Sequence, residues 1–420
     1  MVHHARVWQG GAMRILHTAD WHIGQTVNGW TREVEHRAFL QTLSDLVAAQ
    51  AVDALIVAGD VFDGINPSAE AMQLLYESLL AMRERRPTLT TIMVAGNHDP
   101  AGRLEAPAAL LRTIGVHSVG IMHSQGGSID LDRHLVPLRD ESGNIRVFGL
   151  AIPYLRCADL PALQQTEDEP GSPIVRATRE LYAKAYAAAR THAGLIPLVA
   201  TGHLHCTGTQ ESEGAERRIL VGGEHAVPHD IFPTDLAYVA LGHLHRPQQV
   251  ARRNVRYSGS PFPLSATELP YEHGVSLIEL HDGAVQCEHV RLPRTVPCIR
   301  VPETGGVTSR ALSETLTQLA FDPDCPVESR PFLHVVVEPD GPAAGLIAEV
   351  DQILAEYPVR CASIKIERPQ SSEEAGPSPV MMNLTECDPM DLFERAFTET
   401  HGVTPEPEHK AAFDQLRVEV

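Results

Sequence analysis

Five stretches of this chain end an apolar run in a polar or glycine break and then place Asp, Asn or His immediately after it. The residues are Asp20 with His22, Asp60, Asn97 with His98 and Asp99, His203, and His243 with His245. The fullest stretch is Thr91-Ile92-Met93-Val94-Ala95-Gly96-Asn97-His98-Asp99-Pro100, a buried-strand pattern that stops in an amide, an imidazole and a carboxylate side by side. Open α/β sheets present functional groups at the carboxyl ends of their strands, and Gly96 lets the backbone turn without a Cβ penalty. In the D-x-H and H-x-H pairs the i and i+2 side chains of an extended backbone share a face, so both can reach one site. Mixed carboxylate, imidazole and amide-oxygen donors suit Mn²⁺, Fe²⁺ or Zn²⁺ better than Ca²⁺, which prefers oxygen alone, or a thiolate site. A carboxylate in the middle could bridge two ions about 4 Å apart, a spacing that activates water and stabilises a phosphoryl displacement.

The elements needed to position these groups are visible in the hydrophobic pattern. Arg14 to Thr18, Ala54 to Ala58, Thr91 to Val94, Ile196 to Ala200 and Tyr238 to Leu241 read as buried strands. Between them lie helical patterns carrying Phe39, Leu43, Leu46 and Val47, then Met72, Leu75, Leu79 and Met82 behind a Ser68 N-cap. A helix is expected from Pro107 to Gly115 and a long Ala-rich one from Ser172-Pro173 to about His192. Val255 to Ser258 and a hairpin of Val275 to Leu280 with Ala284 to Val290 close this part as antiparallel elements. The fold class is therefore α/β (α+β), with strand and helix alternating through the first hundred residues.

The remaining organisation follows from composition shifts. Residues 1–12 lack periodicity and Met13 directly precedes the first strand, making Met13 a candidate start and leaving His3 and His4 outside the chemistry. Residues 13–294 form the main domain. Residues 295–368 show a single small βαβαβ pattern without metal-type residues and read as an accessory domain. Residues 369–380 are Pro-, Ser- and Glu-rich, a linker, and 381–420 carry two short amphipathic patterns too short to fold alone.

A formal charge of −20 argues against a protein that coats nucleic acid nonspecifically, although metals can supply local positive charge in a nuclease. The seven cysteines are scattered, never paired as C-x-x-C, which fits free thiols in a reducing compartment. No stretch nears the roughly 20 apolar residues of a membrane span, and the first residues lack the order of a secretory signal, so the expected location is cytoplasmic.

The order D-x-H, G-D, G-N-H-D, G-H, G-H-x-H resembles the calcineurin-like dinuclear metallophosphoesterases. Within them the opening Leu16-His17-Thr18-Ala19-Asp20-Trp21-His22-Ile23-Gly24, the run Tyr257-Ser258-Gly259-Ser260-Pro261, the accessory module and the tail are similar to the SbcD-type nuclease subunits of bacteria. The resemblance implies a sandwich of two mixed sheets flanked by helices, a small capping domain and a C-terminal helical tail. It implies two divalent ions, most often Mn²⁺, with Asp20, His22, Asp60 and His245 on one and Asp60, Asn97, His203 and His243 on the other. His98 is then the acid facing the leaving oxygen, with Asp99 orienting it. It further implies exonuclease action on duplex ends and endonuclease action on hairpins in DNA repair, recombination and replication. An SbcC-type coiled-coil ATPase partner is implied, docked through the tail around Pro389, Leu392 and Phe393, with pairing of two nuclease domains. The chain has no G-x-x-x-x-G-K-[ST] loop of its own, so ATP handling falls to another subunit.

Plainer roles stand beside these. The strand-end polars could be solvated N-caps, and His205, which repeats the H-x-H pattern, is read as supporting or exposed. Asp63 is either a helix cap or a support for a neighbouring ligand. Trp21 and Phe62 are read as core. Arg252, Arg253 and Arg256, and Arg103 with Arg112, could grip phosphates or simply be solvated. The rival functions are a phosphoesterase of the same fold acting on small phosphate esters or cyclic nucleotides, and a non-catalytic scaffold.

Overall fold

Two six-stranded mixed sheets face one another in a computed structural model of the chain. It describes residues 12–125, 128–160, 172–210, 226–281, 284–340 and 345–367, with 390, 393, 394, 397, 404–406, 409, 410 and 413. In the first sheet the strands run Ala284–Arg291, Gly274–His281, Met13–Thr18, Ala54–Ala58, Thr90–Val94 and Val116–Val119. The last four pair in parallel, and the first two form the expected antiparallel hairpin against Met13–Thr18. The second sheet runs Gln248–Val250, Arg252–Tyr257, Tyr238–Gly242, Leu198–His203, Ile145–Leu150 and Leu135–Arg139.

Every strand residue of Ala54–Ala58 and Tyr238–Gly242 is buried, as parallel strands covered on both faces must be. Ile15, Ile56, Ile92 and Val94 interlock with Val136, Leu138, Val199 and Ala240 between the sheets. Helices Glu33–Ala49 and Ala69–Arg85 bury Leu43, Val47, Leu75 and Leu79 against the outer face of the first sheet. Helix Pro173–Ala193 covers the second sheet with Leu181, Tyr182, Ala185 and Ala189. Trp21 and Phe62 are core, and Ser68 Oγ accepts the Ala71 N–H at 3.2 Å as an N-cap.

Two local expectations change. Arg252–Tyr257 joins Tyr238–Gly242 in parallel and is antiparallel only to the short Gln248–Val250, because it enters the sheet interior instead of folding back at an edge. The helix expected over Pro107 to Gly115 is a single α turn, Ala108–Leu111, that tightens into a 3₁₀ turn, Arg112–Ile114, ending at Gly115, whose φ is 75°, and a separate short helix, Ala101–Glu105, precedes it.

The accessory segment forms a three-stranded parallel sheet, Cys298–Val301, Phe332–Val337 and Arg360–Ile366, with helices Ser309–Gln318 and Leu346–Ala355. It belongs to one compact unit with the sandwich, Met1–Glu367. The junction is specific: the guanidinium of Arg360 lies over the Phe332 ring, 3.8 Å from its centroid, and that of Arg32 is 5.6 Å from it. Arg32 is itself held by buried Glu35 at 2.6 Å.

Arg368–Val420 is a second unit, in which Phe393 stacks on Phe413 with centroids 4.5 Å apart and Lys410 pairs with Glu394 at 2.5 Å. Residues 1–11, the linker, Pro389 and Leu392 lie outside the described residues. Among the described residues no helix is long and apolar enough to cross a membrane, and Cys157, Cys206, Cys287, Cys298, Cys325 and Cys361 are free.

Candidate metal centre

The carboxyl ends of both sheets meet at one point, and the loops there continue the pairing of the strands. Asp20 N–H donates to the Gly59 carbonyl at 3.0 Å, His22 N–H to Asp60 O at 3.0 Å and Ile23 N–H to Val61 O at 2.9 Å. The second sheet is tied in through the His203 ring, whose Nδ1 donates to Ala58 O at 2.9 Å, and through His243 N–H, which donates to Asp20 Oδ1 at 2.9 Å.

Among the described residues eight that are not glycine have positive φ, and four of them are Asp20 (55°), His22 (46°), Asp60 (49°) and His243 (101°). Such conformations cost of order 1–3 kcal/mol each and persist where surroundings over-determine them, typically at functional sites. They also correct the reasoning from spacing: Asp20 and His22 converge because left-handed turns redirect them, not because an extended backbone puts i and i+2 on one face. Gly59 (φ 96°) is required here, since a Cβ on it would stand 2.2 Å from His203 Nδ1. A Cβ on Gly96 would stand 2.1 Å from Asp60 Oδ1.

The donor atoms fall into overlapping groups, one of them His22, Asp63 and His98. Asp20, His22 and His245 offer atoms within 4.8 Å of one another, as do Asp20, Asp60 and His203. Asn97 Oδ1 lies 2.9 Å from His203 Nε2 and 3.2 Å from His243 Nδ1, which adds an amide oxygen and a fourth imidazole. Asp60 Oδ2 sits between these last two groups, 3.7 Å from His22 Nε2 and 3.3 Å from His203 Nε2. Donors around a divalent ion at about 2.1 Å stand about 3 Å apart, so this spacing fits two ions sharing Asp60. The fit is reinforced by two orphans: Asp20 Oδ2 and His22 Nε2 are buried with no hydrogen-bond partner, a costly state that a cation at that point relieves.

The charges are mutually adjusted. Burial pushes the Asp60 carboxyl up, but contact with His203, His22 and His98 outweighs it and holds the group below the ordinary carboxylate range. Burial lowers His203, yet Asp60 beside it raises the imidazole to about 9. Asp20 is pushed up by burial, and His243 is driven well down by burial and by His203.

Behind these donors stand supporting groups. Asp63 supports neighbouring rings: its Oδ1 lies 3.0 Å from His22 Nδ1, and its carbonyl accepts from His98 Nδ1 at 2.9 Å, while Ser68 caps the helix that follows. The expectation that Asp99 orients the His98 ring therefore changes. Buried Asp99 spends its oxygens on backbone, accepting from Gly96 N–H (2.7 Å), Phe62 N–H (2.8 Å) and Val61 N–H (3.1 Å), because it lies beneath the two loops. It ties the Asp60 loop to the Asn97 loop. His98 stands beside the donors, its ring centroid 4.8 Å from that of His22, and its N–H donates to Asp60 Oδ1 at 2.9 Å. His205 is half-buried and outside these donor groups. Arg252 and Arg256 turn guanidinium nitrogens into the protein, so they are not an open phosphate grip.

Reading the sequence missed Glu268, whose Oε1 lies 2.8 Å from His245 Nδ1. No motif contains it; the only local signal is Ser265 three residues earlier, in a capping-type spacing.

A scaffold of two mixed sheets with carboxylate, amide and imidazole donors at their common edge defines a class. The chain belongs to the calcineurin-like phosphoesterases, whose family profile matches residues 13–247. A second profile, described as the Type 5 capsule protein repressor C-terminal domain, matches residues 300–401. Among curated relatives, the SbcD polypeptide of the nuclease SbcCD from Rhodobacter capsulatus is 51% identical over 386 residues, 92% of this chain and 94% of that protein. The protein of the same name from Escherichia coli K12 is 31% identical over 392 residues, covering 91% and 92%. That from Bacillus subtilis 168 is 38% identical over 281 residues, covering 64% and 67%. Within the phosphoesterases the chain thus belongs to the SbcD group.

Proposed function

We propose that this chain is a metal-dependent DNA nuclease, the SbcD-type component of an SbcCD complex, working with two Mn²⁺ ions on duplex ends and hairpins in DNA repair and recombination. The observation that carries the binuclear part is Asp60 Oδ2 poised between His22 Nε2 and His203 Nε2. Asp20, His22, Asp60 and His245 would hold one ion, and Asp60, Asn97, His203 and His243 the other. When bound, such ions acidify a water and neutralise phosphate oxygens. The chain's own groups do the rest. With Nδ1–H fixed on Asp63 O, His98 holds the transferable proton at Nε2 and gives it to the leaving oxygen as the P–O bond breaks. Asp99 keeps the loops of Asp60 and Asn97 in register without touching substrate.

Residues 295–368 serve as a capping domain that limits which DNA ends reach the edge, and residues 381–420 as the segment that docks an SbcC-type ATPase. The relatives' shared name and the missing nucleotide loop support that partner. Purified full chain with Mn²⁺ is tested on linear duplex, hairpin DNA and a cyclic nucleotide, with EDTA as control. Cleavage of DNA that EDTA abolishes is expected. Hydrolysis of the cyclic nucleotide with intact DNA would replace this reading with the small-ester one.

A further inference from the structure

Among the described residues, three imidazoles at the centre have a partner behind them, and the partners differ in kind. His203 Nδ1 donates to a neutral backbone carbonyl, Ala58 O, at 2.9 Å. His22 Nδ1 lies 3.0 Å from the Asp63 carboxylate, and His245 Nδ1 lies 2.8 Å from the Glu268 carboxylate. Both carboxylate-backed rings belong to the Asp20/His22/His245 group, whereas the uncharged Asn97 lies against His203 and His243. A carboxylate behind a ligating imidazole fixes its tautomer, aims Nε2 at the ion and raises its basicity.

Glu268 is held for this task. It is fully buried, its Oε2 accepts the Leu264 N–H at 2.8 Å, and its carbonyl is 2.9 Å from His273 Nε2. His273 Nδ1 in turn lies 3.1 Å from Ser260 Oγ, and Ser260 N–H donates to His245 O at 3.1 Å. The loop of bonds starts and ends at His245, so neither ring nor carboxylate can turn independently.

We propose that Glu268 is a positioning residue for His245 and that, with Asp63 behind His22, it makes the Asp20/His22/His245 half the tighter of two unequal metal sites. The inference rests on the binuclear reading above. The test is calorimetric titration of the metal-free full chain with MnCl₂, with thermal unfolding of each metal-free variant as the folding control. Wild type takes up two ions in two separable steps. Glu268→Gln weakens the tighter step about 10–100-fold and leaves the other in place, while Asn97→Ala weakens the looser step. Glu268→Asp keeps the charge but withdraws it from Nδ1, and weakens the same step by less than Glu268→Gln; it carries the test if the Gln variant does not fold. Two unchanged steps, or equal weakening of both, in a folded Glu268 variant would overturn the proposal while leaving the binuclear reading intact. A wild-type chain that takes up one ion or none overturns both.

Discussion

Replacing Gly59 by Ala strikes the centre through a single methyl group, and its cost follows from the atoms that methyl would meet. The added Cβ would lie 2.2 Å from His203 Nδ1, 2.7 Å from His203 Cγ and 3.0 Å from Gly96 Cα. Ordinary contact needs about 3.5 Å or more, so the ring must move by about 1 Å. It cannot do so freely, because it is buried and its Nδ1 is bonded to Ala58 O at 2.9 Å. Overpacking of this kind costs about 1–3 kcal/mol. Holding Ala at a φ of 96° adds about 1–2 kcal/mol, and the broken hydrogen bond about 1 kcal/mol. The sum, about 3–6 kcal/mol, is a large share of the stability of a folded domain. With an unfolding entropy of about 2.1 cal/mol/K per residue, the melting temperature of the Met1–Glu367 unit should fall by about 4–8 °C. Metal content should fall with it, since His203 is displaced from Asn97 and Asp60. Gly64→Ala is the control: a Cβ there meets nothing within 4 Å, and its effect should stay within about 0.5 kcal/mol. Differential scanning fluorimetry and elemental analysis of both variants decide the matter. A Gly59→Ala protein with wild-type melting temperature and metal content would refute the packing described for the centre.

Further outcomes follow from other contacts. His98→Ala should lower DNA cleavage on the order of a hundredfold or more with metal content near wild type, measured as single-turnover rates beside elemental analysis; an unchanged rate would remove the acid from the mechanism. His17 lies between the sheets, where burial pushes its imidazole down to about 3. The unfolded chain binds a proton near pH 6.5 that the folded chain refuses. The His17 contribution is therefore full above pH 6.5 and declines by about 1.4 kcal/mol per pH unit as pH falls toward 3. His17→Gln should flatten the fall in melting temperature between pH 6.5 and 4, and an identical acid limb in both proteins would count against a neutral buried His17.

The strands, the polar residues at their ends and the order of motifs that marks the family are all readable in the chain before it folds. These are local: a fully apolar five-residue run such as Ala54–Ala58, cut off by Gly59, suits a short buried strand, and Asp60 falls just beyond it. The break of the helix after Pro107 and the parallel entry of Arg252–Tyr257 were not legible, because both depend on what neighbouring elements leave open. The same limit applies at the centre. The left-handed turns at Asp20 and His22 are imposed by pairing with the Asp60 loop, and the hold on His203 comes from Ala58, 145 residues earlier. Asp99 follows His98 in the chain yet serves the backbone of two loops, and Glu268 reaches His245 from outside every motif. Spacing along a chain records which groups a strand end can offer. Which nitrogen faces the ion, and what stands behind it, is decided only when two sheets close on one another.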